Sequence, residues 1–365
     1  MTKLTRRNLM TAAAATGLAG VLGSRLVLAA DEPLGITLVV PSPIGDVGWG
    51  HALAAGLEPI KAAYGDKVKV TVLENIAEGP DADRIMNKTV ADGNKFLVAG
   101  SFGYQNGALQ IARRDPSVTV LHASGFQIAP NFSPFAAKYF QGTYLLGMAA
   151  AALSKTGKLG SVSAFAIPEL ITSINAFTLG AQAVKPDIEV SVVWVNSWFD
   201  PAKEQEAAKA LIAQKCDVIF SNAQDTPSVI SACEEAGVYA FNLNSSMKKY
   251  APKTYLGCIS TDWSPFFKAS VDAHLAGTFK GANAFLGVAD KVVEVVDWSP
   301  DVPADVMTKI KEIEVKIADG SFSPFTGPIT KADDSEGVAS GATMADAEII
   351  AMNWHVKGVS TPLPK

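Results

Sequence analysis

The chain has little cysteine and little histidine, and what it has is not arranged for chemistry. Among 365 residues there are three cysteines and four histidines. Cys216, Cys233 and Cys258 make an odd count, which is no disulfide framework. Each sits among apolar neighbours, where a small buried hydrophobe is expected. His51, His122, His274 and His355 are scattered, with no spacing that would bring two of them to one metal ion. The chain lacks an H-E-x-x-H pair, a phosphate-binding G-x-x-x-x-G-K-[ST] loop and a G-x-S-x-G elbow. No nucleophile has a base beside it in sequence. No catalytic, metal or cofactor role is therefore expected. Excess positive charge is also missing. The formal net charge is −5, which argues against nucleic acid or an anionic membrane as partner.

Long apolar runs are confined to one place. Residues 5–10 read T-R-R-N-L-M, and Ala-rich apolar runs cover 9–23 and 26–30. Ser24 and Arg25 interrupt them, so they fall short of the ~20 residues that span a bilayer. Val27-Leu28-Ala29 offers an A-x-A-like cleavage site. Residues 1–29 are thus expected to be an export signal of the twin-arginine kind, with the general secretory route as the alternative. Lys3, Arg6, Arg7 and Arg25 leave with it and no acid does, which moves the net charge from −5 to about −9. No cysteine lies near the cleavage site, so a lipid anchor is not expected and the mature protein should diffuse freely in a periplasm.

Roughly 335 residues remain, more than one hydrophobic core usually supports, so two lobes are expected. Strand patterns at 34–40, 68–73, 96–100 and 118–123 alternate with helical patterns at 50–64, 81–92 and 107–113. A second series has helices at 141–154, 171–184, 202–214, 229–236 and 263–279. Its strands are at 158–165, 188–196, 217–221, 239–243 and 291–296. The helix at 141–154 is rich in small residues, which predicts close packing. A charged amphipathic helix over 303–318 opens on Pro303 and stops at Gly320. Beyond 329 the one signal is a short helix at 342–352. This order predicts an α/β fold of two Rossmann-like lobes, each a parallel sheet covered by helices. Ligands of such sheets lie beyond the carboxyl ends of the strands, so a cleft between the lobes is the expected site.

The strand-end loops carry the candidate residues. After the first strand, residues 41–50 read P-S-P-I-G-D-V-G-W-G. Trp49 there is either a wall for a flat ligand or a plug on the sheet end, and Asp46 is either a ligand contact or a helix cap. After the third strand, Phe102 is a second candidate wall between two glycines. In the second lobe, Trp198 occupies the loop equivalent to that of Trp49, so one flat ring could sit between them. Asp200 before Pro201 reads as a helix cap. The polar run Asn222, Gln224, Asp225 and Thr226 follows an apolar strand and could hydrogen-bond a base edge or cap the next helix. Asn242 and Asn244 share one side of an extended strand. Asp262 either caps a helix or reaches the ligand. Apolar walls with a few polar groups describe a binding site.

Several of these segments, taken in order, resemble one family. They are G-D-V-G-W at 45–49, F-A-A-K-Y at 135–139, G-T-Y-L-L-G at 142–147 and Ile167-Pro168. S-W-F-D-P at 197–201, D-V-I-F at 217–220 and Gly320 with Phe322 complete the set. The chain resembles the bacterial extracytoplasmic solute-binding proteins of the basic membrane protein family. The resemblance implies a type I periplasmic-binding fold, with one lobe at 30–127 plus about 260–298 and the other at 128–259 plus about 299–365. It implies a monomer that serves the permease of an ABC importer and binds a purine nucleobase or nucleoside. Trp49 and Trp198 take stacking positions that are commonly Phe in the family. Asn244 stands where an Asp usually holds ribose hydroxyls, Asp262 near a usual Lys, and Gly50 at a usual Asn. These departures point to a free base such as adenine, with the larger Trp walls filling the space of the sugar. A periplasmic nucleoside-processing enzyme and a ligand-loaded partner of a sensor are the alternatives.

Overall fold

A computed structural model describes residues 32–364, so the expected export signal at 1–29 lies outside the described residues. The first lobe is built from β1 (Leu34–Val39), α1 (Gly48–Tyr64), β2 (Val68–Leu73), α2 (Pro80–Ala91), β3 (Phe96–Ala99), α3 (Gln105–Arg114), β4 (Thr119–Ala123) and β5 (Phe132–Ala137). The second lobe follows with α4 (Tyr139–Leu153), β6 (Lys158–Ser163), α5 (Pro168–Gln182), β7 (Glu189–Trp194), α6 (Pro201–Ala213), β8 (Val218–Asn222), α7 (Ser228–Ala236), β9 (Tyr239–Asn244) and β10 (Tyr255–Thr261). The chain then returns to the first lobe for α8 (Ser264–Leu275) and β11 (Ala284–Leu286), and goes back for β12 (Val293–Val296) and α9 (Ala304–Ala318). A small hairpin of β13 (Ile329–Thr330) and β14 (Glu336–Val338), and α10 (Asp346–Ile350), close the order.

Each lobe is one six-stranded sheet. The orders are β11-β5-β4-β3-β1-β2 and β12-β10-β9-β8-β6-β7. All pairings are parallel except β10 with β12. In both sheets the winding direction reverses beside the first strand, between β1 and β3 and between β6 and β8. That is the switch point where such sheets open a crevice. The strands explain themselves: every residue of β3 and β4 is buried, as β-branched and aromatic runs covered on both faces must be. Helix punctuation follows the sequence. Asp200 accepts from the Lys203 N–H at 3.1 Å to cap α6 ahead of Pro201.

Three strands of the two sheets, β5, β10 and β11, have no counterpart among the expected strands. Pro134 interrupts β5, and Gly257 sits at a register shift in β10. Both nonetheless pair within the sheets. Their placement moves the lobe boundaries from the expected ones. β5 belongs to the first sheet, so the crossing falls after Ala137 and not at 128. β10 and β12 both belong to the second sheet, so the return crossings fall near 262 and between 287 and 292, not at 298. The tail is more ordered than its composition suggests. It straps over the second lobe through fully buried Asn175, which donates to the Trp354 carbonyl at 2.8 Å and accepts from the Val356 N–H at 3.1 Å.

Candidate functional site

The carboxyl ends of the two sheets face one cavity. Its wall holds Pro41 and Trp49 after β1, Ser101 and Phe102 after β3, and Ser124 after β4. From the second lobe come Glu169 after β6, Trp198 after β7, Asp225 after β8 and Asn244 at the end of β9, with Tyr139 at the crossing. Three wall residues other than glycine have left-handed backbones: Ser124 (φ 55), Ala223 (φ 59) and Asn244 (φ 77). Such strain persists where the surroundings over-determine it, and it gathers at ligand sites.

Trp49 is both wall and plug. Its indole N–H donates to the Gly100 carbonyl at 2.8 Å, and its ring packs edge-on against Trp263 at 5.8 Å and nearly parallel to Phe135 at 6.4 Å. The ring is therefore held by the first lobe before any ligand arrives. Trp198 leans on Phe165 at 4.7 Å and reaches across the cleft, where its N–H meets Glu78 Oε1 at 3.3 Å. The same Glu78 oxygen accepts from the Ser101 hydroxyl at 2.5 Å and the Gly103 N–H at 2.8 Å, fixing the Phe102 loop.

Asp225 is the main bridge between the lobes. It belongs to the second, yet its two oxygens accept from the Ser42 hydroxyl at 2.5 Å and the Trp49 N–H at 2.7 Å. Gly48 makes this approach possible. Its φ is 91, and an added Cβ would lie 2.9 Å from the Asp225 carboxylate. Its N–H also donates to Ser245 at 2.8 Å. Burial raises the Asp225 carboxyl to about 6, against the pull of the Ser42 and Trp49 donors. Glu169 is pushed to about 7 by burial, held back by the Ser124 hydroxyl at 2.5 Å and the nearby Ala137 backbone. Tyr139 donates to the Asn244 side-chain oxygen at 2.5 Å.

Five of the nine expected ligand residues meet on the cavity wall: Trp49, Phe102, Trp198, Asp225 and Asn244. Four do not. Asp46 is exposed on the rim, where it pairs with Lys249 and accepts from Tyr250 at 3.1 Å. It does not cap α1 either. Asp262 is exposed and accepts from the Ser264 N–H at 2.9 Å, at the start of α8. Asn222 turns into the second lobe, donating to Ser163 and the Leu170 carbonyl, both at 3.2 Å. Gln224 faces away too. With its oxygen accepting from the Ala164 N–H at 2.9 Å, its nitrogen reaches Glu204 at 3.3 Å. The physical reason is strand alternation and the tight turn at Ala223, which send neighbouring side chains to opposite sides.

Sequence reasoning missed Glu169, Tyr139, Ser42, Ser124 and Glu78. Tyr139 and Glu169 adjoin segments singled out above, F-A-A-K-Y and Ile167-Pro168, which was the available signal. Ser42 sits in the 41–50 loop singled out above, between two prolines; Ser124 and Glu78 sit in loops with no distinguishing pattern. Among the described residues, no three of His, Cys, Asp and Glu cluster as metal ligands would.

Residues 34–323 match the Bmp family model, described as ABC transporter substrate-binding protein, PnrA-like. A purine-binding protein of Brucella abortus is 39% identical over 336 residues, covering 92% of this chain and 95% of that one. A putative ABC transporter glucose-binding protein of Haloferax volcanii is 31% identical over 307 residues, covering 84% and 77%. The solved structure of an ABC transporter solute-binding protein from Aeropyrum pernix superposes with a TM-score of 0.71 at 17% identity, over 88% of this chain and 98% of that one. That likeness shows the shared two-lobed, type I periplasmic-binding fold. The chain belongs to the Bmp family of PnrA-like ABC transporter substrate-binding proteins.

Proposed function

We propose that this protein captures a purine base, adenine or a close relative, between Trp49 and Trp198 and presents it to an ABC importer. The carrying observation is that a tryptophan from each lobe lines the same cavity at the carboxyl ends of both sheets. Aromatic faces bind flat heterocycles, at about 1–3 kcal/mol for each stacked base. The 39% identity to a purine-binding protein supports the same ligand class. The absence of an acid at Asn244 and the bulk of two indoles favour a free base over a nucleoside. Glu169 and Asp225 act as hydrogen-bonding groups and not as catalysts. The paired arginines at Arg6 and Arg7 support export to the periplasm, where the protein works as a monomer.

Thermal-shift titration with adenine, guanine, adenosine, guanosine and glucose tests this reading. Ligands that bind only the folded state raise its midpoint. Adenine should give the largest rise. Larger rises with the nucleosides would overturn the free base. A rise with glucose alone would favour a sugar, a reading that the Haloferax relative and the two wall carboxylates support. Hydrolysis of adenosine by the purified protein would count for an enzyme.

A further inference from the structure

Ten buried polar side-chain atoms among the described residues lack a hydrogen-bond partner, and one of them belongs to a residue of the cavity wall: Glu169 Oε1. Leaving such an atom unpaired costs about 1–3 kcal/mol, and more for a charged group. The second oxygen of the same carboxylate is already committed, since Ser124 donates to Oε2 from the opposite lobe. Ser124 is itself held in a left-handed backbone conformation that fixes this contact.

The rest of the wall narrows the chemistry. Its ionisable residues are Glu169, Asp225 and Tyr139; no lysine, arginine or histidine contributes. Both Asp225 oxygens are occupied by Ser42 and Trp49, and the Tyr139 hydroxyl is spent on Asn244. One carboxylate of the wall therefore keeps a buried oxygen with no side-chain donor and no cation beside it. A ligand meets it with an N–H or O–H donor, and on the purine reading that donor is an N–H. A ligand oxygen set against it would add lone-pair repulsion in a low-dielectric space.

We propose that Glu169 sets ligand choice, its Oε1 accepting from the exocyclic amino group of a 6-aminopurine and disfavouring 6-oxopurines. This rests on the purine reading above. A single acceptor suits the single amino group of adenine. Guanine offers adjacent N1–H and amino donors that would need both oxygens, and one is taken. The N–H donor favours the ionised carboxylate, so binding of adenine should drive a proton off Glu169. The groups around Glu169 are Ser124 and the Ala137 backbone from the first lobe, Tyr139 at the crossing, and Asp225 and Asn244 from the second.

Isothermal titration of wild type and Glu169→Gln with adenine, hypoxanthine and guanine tests this. Wild type should bind adenine more tightly than the other two. Glu169→Gln, whose amide can turn its NH2 to the ligand, should lose adenine affinity by roughly 10-fold or more and narrow or invert the preference over hypoxanthine. Ser124→Ala, which frees Oε2, should improve guanine relative to adenine and reads the same carboxylate if the Gln variant does not fold. An adenine-to-hypoxanthine ratio unchanged in Glu169→Gln, or a guanine ratio unchanged in Ser124→Ala, would overturn the role of Glu169 while leaving a purine receptor standing. Wild type that binds none of these bases would overturn the purine reading and this inference together.

Discussion

At the scale of single residues, the site works through which acceptors are already occupied. Asp225 spends both oxygens on first-lobe donors. Asp225→Ala leaves the Ser42 hydroxyl and the Trp49 N–H without that acceptor in the closed form, at about 1–3 kcal/mol each. Ligand affinity measured by calorimetry should fall at least roughly 10-fold. The melting midpoint without ligand should change little, because the variant also removes a buried carboxyl. Trp198→Ala removes the stacking wall of the second lobe, together with its Phe165 contact and its hydrogen bond to Glu78. It should cost about 1–3 kcal/mol of binding and leave the circular dichroism spectrum unchanged. The three thiols are buried and free. Burial pushes Cys216 up to about 11 and Cys233 up to about 12. None should be alkylated by iodoacetamide, followed by mass spectrometry, until denaturant is added. Trp49 and Trp198 stand out in the sequence because a large aromatic on a glycine- or proline-bounded loop is poorly placed for a core. Asp46, Asp225 and Asp262 do not stand apart from one another. Each is an aspartate on a strand-end loop, and only the closing of the lobes brings Asp225 alone onto Ser42 and Trp49.

At the scale of elements, the small residues of α4 become intelligible once α5 is placed beside it. A Cβ at Gly147 would lie 2.2 Å from the Phe177 carbonyl oxygen, and one at Gly180 would lie 2.0 Å from that of Tyr144. The two helices thus cross backbone to backbone near the middle of α4. Gly147→Val should destabilise the protein by about 1–3 kcal/mol or more, because rigid backbone cannot move aside. Thermal denaturation would show this as a lower midpoint even with ligand in excess. The helices were legible because their starts and stops use proline, aspartate and glycine in ordinary ways. β5 and β10 were not, because Pro134 and Gly257 break the local pattern while neighbouring strands supply the pairing. A strand can be dictated by its neighbours; a helix carries its hydrogen bonds within itself.

At the scale of the molecule, a row of polar contacts joins the lobes across the cleft, beside the apolar cluster that runs through both. Ser42, Gly48, Trp49 and Ser124 donate across it, Trp198 reaches Glu78, and Lys249 pairs with Asp46 on the rim. Such contacts can form and break as the lobes swing. Asp225 and Glu169 have raised values here, about 6 and about 7, because closure removes them from water. Opening would return them toward ordinary carboxylate values near 4. Closure therefore takes up protons between about pH 4 and 7, and the closed fraction of the ligand-free protein should rise as pH falls through that window. The rim pair does not counter this, since Lys249 lowers the Asp46 value below the window. Glu204 is also raised to about 7, but its partners Thr226 and Asp200 lie within its own lobe and open with it. Small-angle scattering should give a smaller radius of gyration at pH 5 than at pH 8, and equal radii would refute the linkage.

The sequence by itself determined that the chain is an α/β protein of two sheets, with loops bearing two tryptophans at strand ends. These features are local: hydrophobic period, helix punctuation and loop composition act over a dozen residues. Only the tertiary structure decided which polar groups share the cavity with those tryptophans. Glu169 and Ser124 are 45 residues apart and Ser42 and Asp225 are 183 apart. Whether an oxygen is paired or bare depends on the lobe opposite, and no local pattern records the lobe opposite.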